Sequence, residues 1–260
     1  MSSAAKSNIL SCQNLNVAIA GRTLLRGLQQ DFASGAITAV LGQNGVGKTT
    51  MLHTLAGIHP AGSGTITFAG TPLADWSRRR LARKLGLLMQ GFELAFPSTV
   101  LTAVLTGRHP HIDLLGWESE RDIAIARGAL SSVGLEGLEE RDVARLSGGE
   151  QRRLAIATVL AQQTDVILLD EPVSNLDPRY QVLVMRLLRK LADAGRTVVV
   201  SLHDVNLARA HCDYALLVNE DGSWQSGKTE QMINPANLLQ LYATEFAEIR
   251  ANGTPFFYAA

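Results

Sequence analysis

The chain has 260 residues, 46% of them hydrophobic, and its 24 acidic and 24 basic side chains give a net charge of zero. This length predicts one large or two small folding units with a substantial core, and the lack of a basic surplus argues against a nucleic-acid-binding protein. The two cysteines, Cys12 and Cys212, have neither metal-ligand spacing nor a disulfide framework. We therefore expect both to be buried, in a protein of a reducing compartment.

Hydropathy and charge patterns give three further expectations. No run of about 18 apolar residues occurs, so the chain is not expected to span a membrane itself. Residues 1–8 are polar and lack the apolar region of a signal peptide. Basic residues cluster at 78–84 and at 152–153, and both clusters are interpreted as solvated helix faces.

The first 90 residues predict a small antiparallel sheet beside a glycine-rich loop. Short strands are predicted at 8–20 and 24–40, around a turn at Gly21-Arg22, and at 65–68, followed by a turn at 70–72. A basic amphipathic helix is predicted over 75–84, and a buried strand at 85–89 leads to Gln90.

The glycine-rich loop lies between an apolar run at 36–41 and a helix predicted to start at Thr50. It fits the pattern G-x-x-x-x-G-K-[ST] with Gly42, Gln43, Asn44, Gly45, Val46, Gly47, Lys48 and Thr49. Glycines let the backbone N–H groups curl around a polyanion, and the helix N-terminus adds a partial positive charge. Lys48 is predicted to reach the β- and γ-phosphates, and Thr49 to ligate Mg²⁺. The alternative is a chance glycine-rich turn.

The remainder of the chain alternates between helical and strand patterns. Residues 99–140 carry helical patterns interrupted by glycine and proline, which predicts a mostly helical insertion. Apolar runs at 166–169, 197–200 and 215–218 then alternate with helical segments at 151–162 and 180–194. This alternation favours a parallel α/β sheet, followed by a small helical and extended tail at 229–260.

The apolar run at 166–169 leads directly into two carboxylates, Asp170 and Glu171. Ligands bind at the C-terminal ends of strands in such sheets, so Asp170 is predicted to hold Mg²⁺ beside Thr49. In an extended chain Glu171 would point to the opposite face, where it could act on water. The alternative is an acidic pair that faces solvent.

A third motif, Leu-Ser-Gly-Gly-Glu-Gln at 146–151, precedes a helical run. Ser147 and Glu150 fit the capping box S-x-x-E, so a capped helix is one interpretation. Gly148 and Gly149, however, leave bare backbone N–H groups at a positive helix end, which favours a second anion site.

Together these motifs resemble the ATP-binding subunit of ABC (ATP-binding cassette) transporters, over nearly the whole chain. The resemblance implies an α/β fold, a P-loop NTPase (RecA-like) core with a small antiparallel β subdomain and an inserted α-helical subdomain. The implied division is a core with the β subdomain and phosphate loop (1–90), a helical subdomain ending in the signature motif (91–150), the second part of the core (151–228) and a tail (229–260).

The resemblance also implies a role for each matching residue. Glu171 would be the catalytic base, His203 the switch histidine at the γ-phosphate, and Gln90 the contact to Mg²⁺ and the attacking water. ATP would be bound by residues 42–50, including Thr50, and by Ser147, Gly148, Gly149, Glu150 and Asp177; Mg²⁺ would be held by Thr49, Gln90 and Asp170. Taken alone, Gln90 could be a strand-end polar residue, and Ser201-x-x-Asp204 a helix cap.

The implied assembly is a head-to-tail homodimer, in which Ser147 and Gly149 of one chain close over the γ-phosphate held by Lys48 of the other. Its implied partners are transmembrane permease subunits, docked on 91–140, and indirectly a periplasmic binding protein, with no nucleic acid. The implied location is peripheral, on the cytoplasmic face of a bacterial inner membrane. One departure is that Ile19 stands at or near the position where the family usually has an adenine-stacking aromatic residue.

Finer resemblances concern the transported cargo. Gly-Arg-His-Pro-His at 107–111, Trp117-Glu118 and the tail at 237–257 resemble the subfamily that energises uptake of ferric siderophores, cobalamin and haem. The string at 107–111 could equally be a helix stop with a solvated turn. An exporter ATPase for lipid or lipoprotein and a non-transport ABC ATPase are alternatives, whereas a P-loop kinase or GTPase would leave residues 146–151 unexplained.

Overall fold

The computed structural model describes residues 8–91, 98–113, 116–251 and 253–260. The strands are β1 (Asn8–Ile19), β2 (Arg22–Ala33), β3 (Ala36–Leu41), β4 (Ser63–Phe68), β5 (Thr71–Pro72), β6 (Leu85–Leu88), β7 (Val166–Leu169), β8 (Thr197–Ser201), β9 (Tyr214–Val218), β10 (Trp224–Lys228), β11 (Phe246–Ala251) and β12 (Thr254–Ala259). The helices are α1 (Lys48–Leu55), α2 (Arg78–Ala82), α3 (Val100–Leu105), α4 (Glu120–Ser132), α5 (Gly148–Ala161), α6 (Pro178–Asp193), α7 (Val205–His211), α8 (Thr229–Met232) and α9 (Pro235–Tyr242), with 3₁₀ turns at Leu73–Asp75, Thr106–His111 and Val143–Arg145.

The central sheet has the strand order β10-β9-β3-β8-β7-β6, and all pairs from β9 to β6 are parallel. Every residue of β3, β7 and β8 is buried, which is typical of parallel strands covered on both faces. Side chains alternate between two hydrophobic clusters, with Val40 in one and Ala39 and Leu41 in the other. The carboxyl ends of β3, β6, β7 and β8 therefore meet at one edge of the sheet.

A second sheet, with the order β2-β1-β4-β5, is antiparallel and packs on α1. The prediction of one strand over 24–40 was wrong: β2 ends at Ala33 in this sheet, and β3 begins at Ala36 in the central sheet. Gly35 turns the chain between them with φ of 70°, a conformation that glycine adopts without steric cost. The turn residues Ser34 and Gly35 were the local signal of this break, but they do not reveal that the two strands enter different sheets.

The segment between β6 and β7 is mostly helical, as predicted for 99–140, within the part that the structure describes. Arg108 and Asp122 form a buried ion pair at 2.8 Å, and Arg108 also donates to the carbonyl of Ala161 at 2.7 Å. This contact ties the Thr106–His111 turn to α4 and to the end of α5. Ser119 and Asp122 cap α4 with a reciprocal capping box.

Other local predictions were partly right. The helix predicted at 75–84 is shorter, because a 3₁₀ turn precedes α2, and α1 begins at Lys48 rather than at Thr50. Both cysteines are buried as expected, and burial raises the pKa of each thiol to about 12. In the described ranges, no helix has both the length and the apolar character needed to cross a bilayer. The polar stretch 1–8 lies outside those ranges except for Asn8.

Candidate nucleotide site

The phosphate loop connects β3 to α1 at the carboxyl edge of the central sheet. Gly47 caps α1 with φ of 107°, and a Cβ there would lie 2.8 Å from the Leu24 Cβ. A Cβ on Gly42 would lie 2.5 Å from the carbonyl oxygen of Val218. Glycine is therefore required at both ends of the loop, for conformation at Gly47 and for space at both.

The Lys48 side chain is folded inside this loop and is only 6% exposed. Its Nζ donates to the carbonyl oxygens of Gly42 and Gln43, at 2.8 and 2.9 Å. Burial lowers the pKa of Lys48, and the carboxylates of Glu171 and Asp170 oppose that effect. The ammonium group is thus held at the centre of the loop and faces the two acids.

Asp170 is fully buried at the end of β7 and is bonded on both carboxylate oxygens. Its Oδ2 accepts a hydrogen bond from the Thr49 hydroxyl at 2.6 Å, and its Oδ1 accepts one from the Ser201 hydroxyl at 2.6 Å. The adjoining hydroxyl and carboxylate oxygens of Thr49 and Asp170 are the ligand types that Mg²⁺ prefers. The residues present therefore fit a magnesium ion beside the phosphate loop.

Glu171 links three loops of the site through its carboxylate. Its Oε1 lies 2.5 Å from Nε2 of His203, and its Oε2 accepts hydrogen bonds from the Gln90 amide and the Ser174 hydroxyl, both at 3.1 Å. The premise of an extended chain was wrong, because β7 ends at Leu169 and Glu171 has φ of 49°. The left-handed backbone at Glu171, rather than strand alternation, directs its carboxylate to His203 and Gln90.

One cavity, of about 420 Å³, brings half of the predicted site residues together. Its lining includes Asn44, Gly45, Gly47, Lys48, Thr49, Thr50, Gln90, Glu171 and His203. Ile19, Arg22 and Leu24, from the β1–β2 hairpin, also line the cavity, and Ile19 is half exposed. This hairpin therefore contributes aliphatic and cationic groups to the cavity, rather than an aromatic ring.

Two residues of the loop face elsewhere. The Val46 side chain is buried in the hydrophobic cluster that includes Leu52, so only its backbone is available to a ligand. The Gln43 side chain donates to the carbonyl of Leu241 at 3.1 Å, away from the cavity.

The signature motif forms the N-terminus of α5, with the predicted capping box. The Ser147 hydroxyl accepts from the Glu150 N–H at 3.3 Å, and the Ser147 N–H donates to the Glu150 carboxylate at 2.8 Å. Ser147, Gly149 and Glu150 are absent from the described lining of the cavity that holds Lys48. Gly148 lines an adjacent cavity, which shares Gln90 and Glu171 with the first. Asp177 is exposed at the start of α6 and is likewise outside the Lys48 cavity.

Sequence reasoning missed the role of the arginines that follow the signature motif. The prediction of a solvated face at 152–153 was wrong, whereas the basic residues at 78–80 and 83–84 are exposed as expected. Arg152 donates to the carbonyls of Asp170 and Glu171, and to that of Met89 at 3.2 Å. Arg153, 5% exposed, donates to the carbonyls of Val133 and Gly134. The signal available was their position in a helix that is apolar on nearly every side.

Ser201 is not the first residue of a helix cap, which was the alternative interpretation of Ser201-x-x-Asp204. The structure makes Asp204 the N-cap of α7, where its carboxylate accepts from the N–H groups of Asn206 and Leu207. Ser201 instead donates to Asp170 and accepts from the N–H of Glu171 at 2.8 Å. It therefore orients both acids.

A parallel sheet with a glycine-rich phosphate loop and a buried acid on a neighbouring strand defines a P-loop nucleoside triphosphatase. Comparison with known proteins gives the family. The sequence matches the ABC transporter family over residues 25–174, more than half of the chain. It is 38% identical to the haemin import ATP-binding protein of Streptomyces coelicolor over 228 residues. The aligned part covers 88% of this chain and 81% of that protein.

Solved structures agree with this match. A metal-chelate type ABC transporter in an inward-facing conformation has a chain 31% identical, with a TM-score of 0.84 over 98% of this chain and 97% of that one. A bacterial ABC transporter cassette solved as a dimer is 26% identical, with a TM-score of 0.75 over 85% and 98% of the two chains. The chain belongs to the ABC transporter family and is an ABC-type ATP hydrolase, as the motifs predicted.

Proposed function

We propose that this ATPase energises the uptake of an iron chelate, cobalamin or haem through a separate membrane permease. The observation that carries the catalytic part is the convergence of Glu171, His203 and Gln90 on the cavity that contains Lys48. The cargo class follows from the haemin importer and the metal-chelate transporter to which the chain is similar.

In the proposed reaction, the Glu171 carboxylate accepts a proton from the attacking water, and His203 holds the γ-phosphate and water in line. Gln90, bonded to Glu171, orients the same water. The Lys48 ammonium neutralises charge on the β- and γ-phosphates. Mg²⁺, when bound by Thr49, Asp170 and Gln90, would supply further charge neutralisation at the phosphate oxygens.

The proposed active unit is a head-to-tail homodimer. Within one chain, Ser147, Gly149 and Asp177 do not line the cavity that holds Lys48. A Cβ added at Gly148 would meet nothing within 4 Å, so this helix end is open to a second molecule. A second copy would bring its α5 N–H groups to the γ-phosphate, which makes hydrolysis depend on dimer closure.

The proposed location is the cytoplasmic face of a bacterial inner membrane, where the permease would dock on residues 91–140 and a periplasmic binding protein would act indirectly. Trp117, at 89% exposure, offers an apolar anchor on that surface. Positions 92–97 and 114–115 of the surface lie outside the described residues. The balanced charge supports a protein partner rather than nucleic acid.

The test is ATPase activity and cargo uptake in liposomes that contain the chain with its permease. Binding proteins loaded with cobalamin, a ferric siderophore or haem are added in turn. Stimulation of both hydrolysis and uptake by one loaded binding protein is the expected result. Robust hydrolysis that ignores all three, with no uptake, would contradict the import proposal and favour the exporter alternative.

A further inference from the structure

The C-terminal segment, residues 229–260, contacts two separate elements of the nucleotide site, the phosphate loop and helix α7. The first contact is to the phosphate loop, where the Gln43 side chain donates to the carbonyl of Leu241 in α9 at 3.1 Å. The backbone carbonyl of Gln43 accepts a hydrogen bond from Lys48. One residue thus joins the C-terminal segment to the loop that holds the phosphate-binding lysine.

The second contact is to α7, the helix that begins two residues after His203. The Asn206 side chain makes two hydrogen bonds with the backbone of Phe257 in β12: its Nδ2 donates to the Phe257 carbonyl at 2.9 Å, and its Oδ1 accepts from the Phe257 N–H at 2.7 Å. Such paired bonds fix the orientation of both groups, because a rotation that keeps one bond breaks the other. Asn206 is also held at the helix start, where its N–H donates to the Asp204 carboxylate at 2.7 Å.

Buried packing joins the two contacts to each other. Phe257 is 3% exposed and belongs to the hydrophobic cluster that includes Ala39 and Leu41. Its strand, β12, pairs with β11 in a hairpin. Tyr242, at the end of α9, packs its ring on Phe246 at the start of β11, with centroids 5.8 Å apart. Close-packed interiors transmit displacement, so the α9 contact and the β12 contact behave as parts of one rigid unit.

We propose that the C-terminal segment positions the catalytic groups of the nucleotide site, and that Asn206 is the positioning residue through which it acts on His203. The inference rests on the proposed roles of His203 and Glu171. Asn206 touches neither of these side chains in the described contacts; it fixes the start of the helix that follows His203. Without the Phe257 bonds, α7 and the residues before it gain freedom, and the 2.5 Å contact between His203 and Glu171 is no longer enforced.

The test compares Asn206→Ala and Asn206→Asp with a control, Arg209→Ala, in the full-length chain. Aspartate keeps the acceptor for the Phe257 N–H but sets a carboxylate against the Phe257 carbonyl, so it should be impaired as well. Arg209 lies one turn further along α7 and makes no hydrogen bond or ion pair among the described contacts. The measurements are kcat for ATP hydrolysis, Kd for ATP, thermal unfolding, and amide exchange over 203–211 and 254–259.

We expect kcat to fall about tenfold in both Asn206 variants, since small misplacements of catalytic groups cost up to ~100-fold. The Kd for ATP should stay within about twofold, because the contacts of Lys48 are unchanged. Amide exchange should accelerate in both segments, whereas Arg209→Ala should behave as the parent chain.

Two results would overturn the proposal. One is a parent-like kcat despite faster amide exchange at Phe257, which would show that the C-terminal segment does not position His203. The other is a joint loss of kcat, ATP affinity and thermal stability, which would make Asn206 a purely structural residue. A parent chain that hydrolyses ATP but imports no cargo would instead contradict the proposed function and leave this comparison valid.

Discussion

Replacing Glu171 by glutamine tests the proposed catalytic base with the smallest change of shape. The Glu171 side chain is 14% exposed and accepts from Gln90 and Ser174 at 3.1 Å. Glutamine keeps one acceptor oxygen and nearly the same volume, so the fold should be unaffected. It cannot accept a proton from water, and general base catalysis contributes about 10²- to 10⁴-fold. We therefore expect kcat to fall about 10³-fold, or ~4 kcal/mol in activation free energy.

The affinity for ATP, unlike kcat, should not fall in Glu171→Gln. No group that donates to phosphate is removed, since the loop N–H groups and Lys48 remain. The change also removes a negative charge from the cavity that receives ATP, which lowers repulsion toward the phosphates. The Kd for ATP should therefore be unchanged or lower, and the ATP-bound dimer should accumulate.

The assay pairs steady-state and single-turnover hydrolysis with ATP binding and with size-exclusion chromatography in ATP and Mg²⁺. Glu220→Gln is a matched control, because Glu220 is exposed in the turn between β9 and β10. It should match the parent in every measurement. Hydrolysis by Glu171→Gln at the parent rate would refute the assignment of Glu171 as the base.

Three further predictions concern ATP affinity, dimer closure and stability. Lys48→Ala should weaken ATP binding about 100-fold by calorimetry, because a charged phosphate contact worth ~3 kcal/mol is lost; an unchanged Kd would contradict it. Gly148→Val should leave the unfolding temperature unchanged, since a Cβ at this position meets nothing within 4 Å. It should lower the rate of hydrolysis at least about tenfold, because the valine side chain would obstruct the phosphates bound by the partner chain. Parent activity would argue against the head-to-tail dimer. Arg108→Ala should lower the free energy of unfolding in urea by about 3–5 kcal/mol, because it leaves Asp122 buried and unpaired. Hydrogen bonds from Ser119 and Arg108 lower the pKa of Asp122 to about 2. The stability that ionised Asp122 contributes should therefore be present above pH 4 and lost between pH 4 and 2. Asp122→Asn should reduce this pH dependence in acid-unfolding curves.

The sequence alone was sufficient for features that lie within a few consecutive residues. The phosphate loop needs only its glycines and Lys48 between a strand and a helix, and the structure has this order. The capping box of Ser147 and Glu150 spans one helical turn, so its spacing predicts its hydrogen bonds. Buried parallel strands are recognisable because both faces are apolar, which also predicted where Asp170 would lie.

Contacts between distant parts of the chain were decided only by the tertiary structure. The separation of β2 from β3 depends on which sheet each strand joins, and that choice is made by strand pairing with β1 and with β8 and β9. The hydrogen bonds from Arg152 to Glu171, from Ser201 to Asp170 and between Asn206 and Phe257 each join residues on different elements. Their partners are separated by 19, 31 and 51 positions, respectively. Local pattern does not encode such pairings, because packing of whole elements determines which polar groups must satisfy each other.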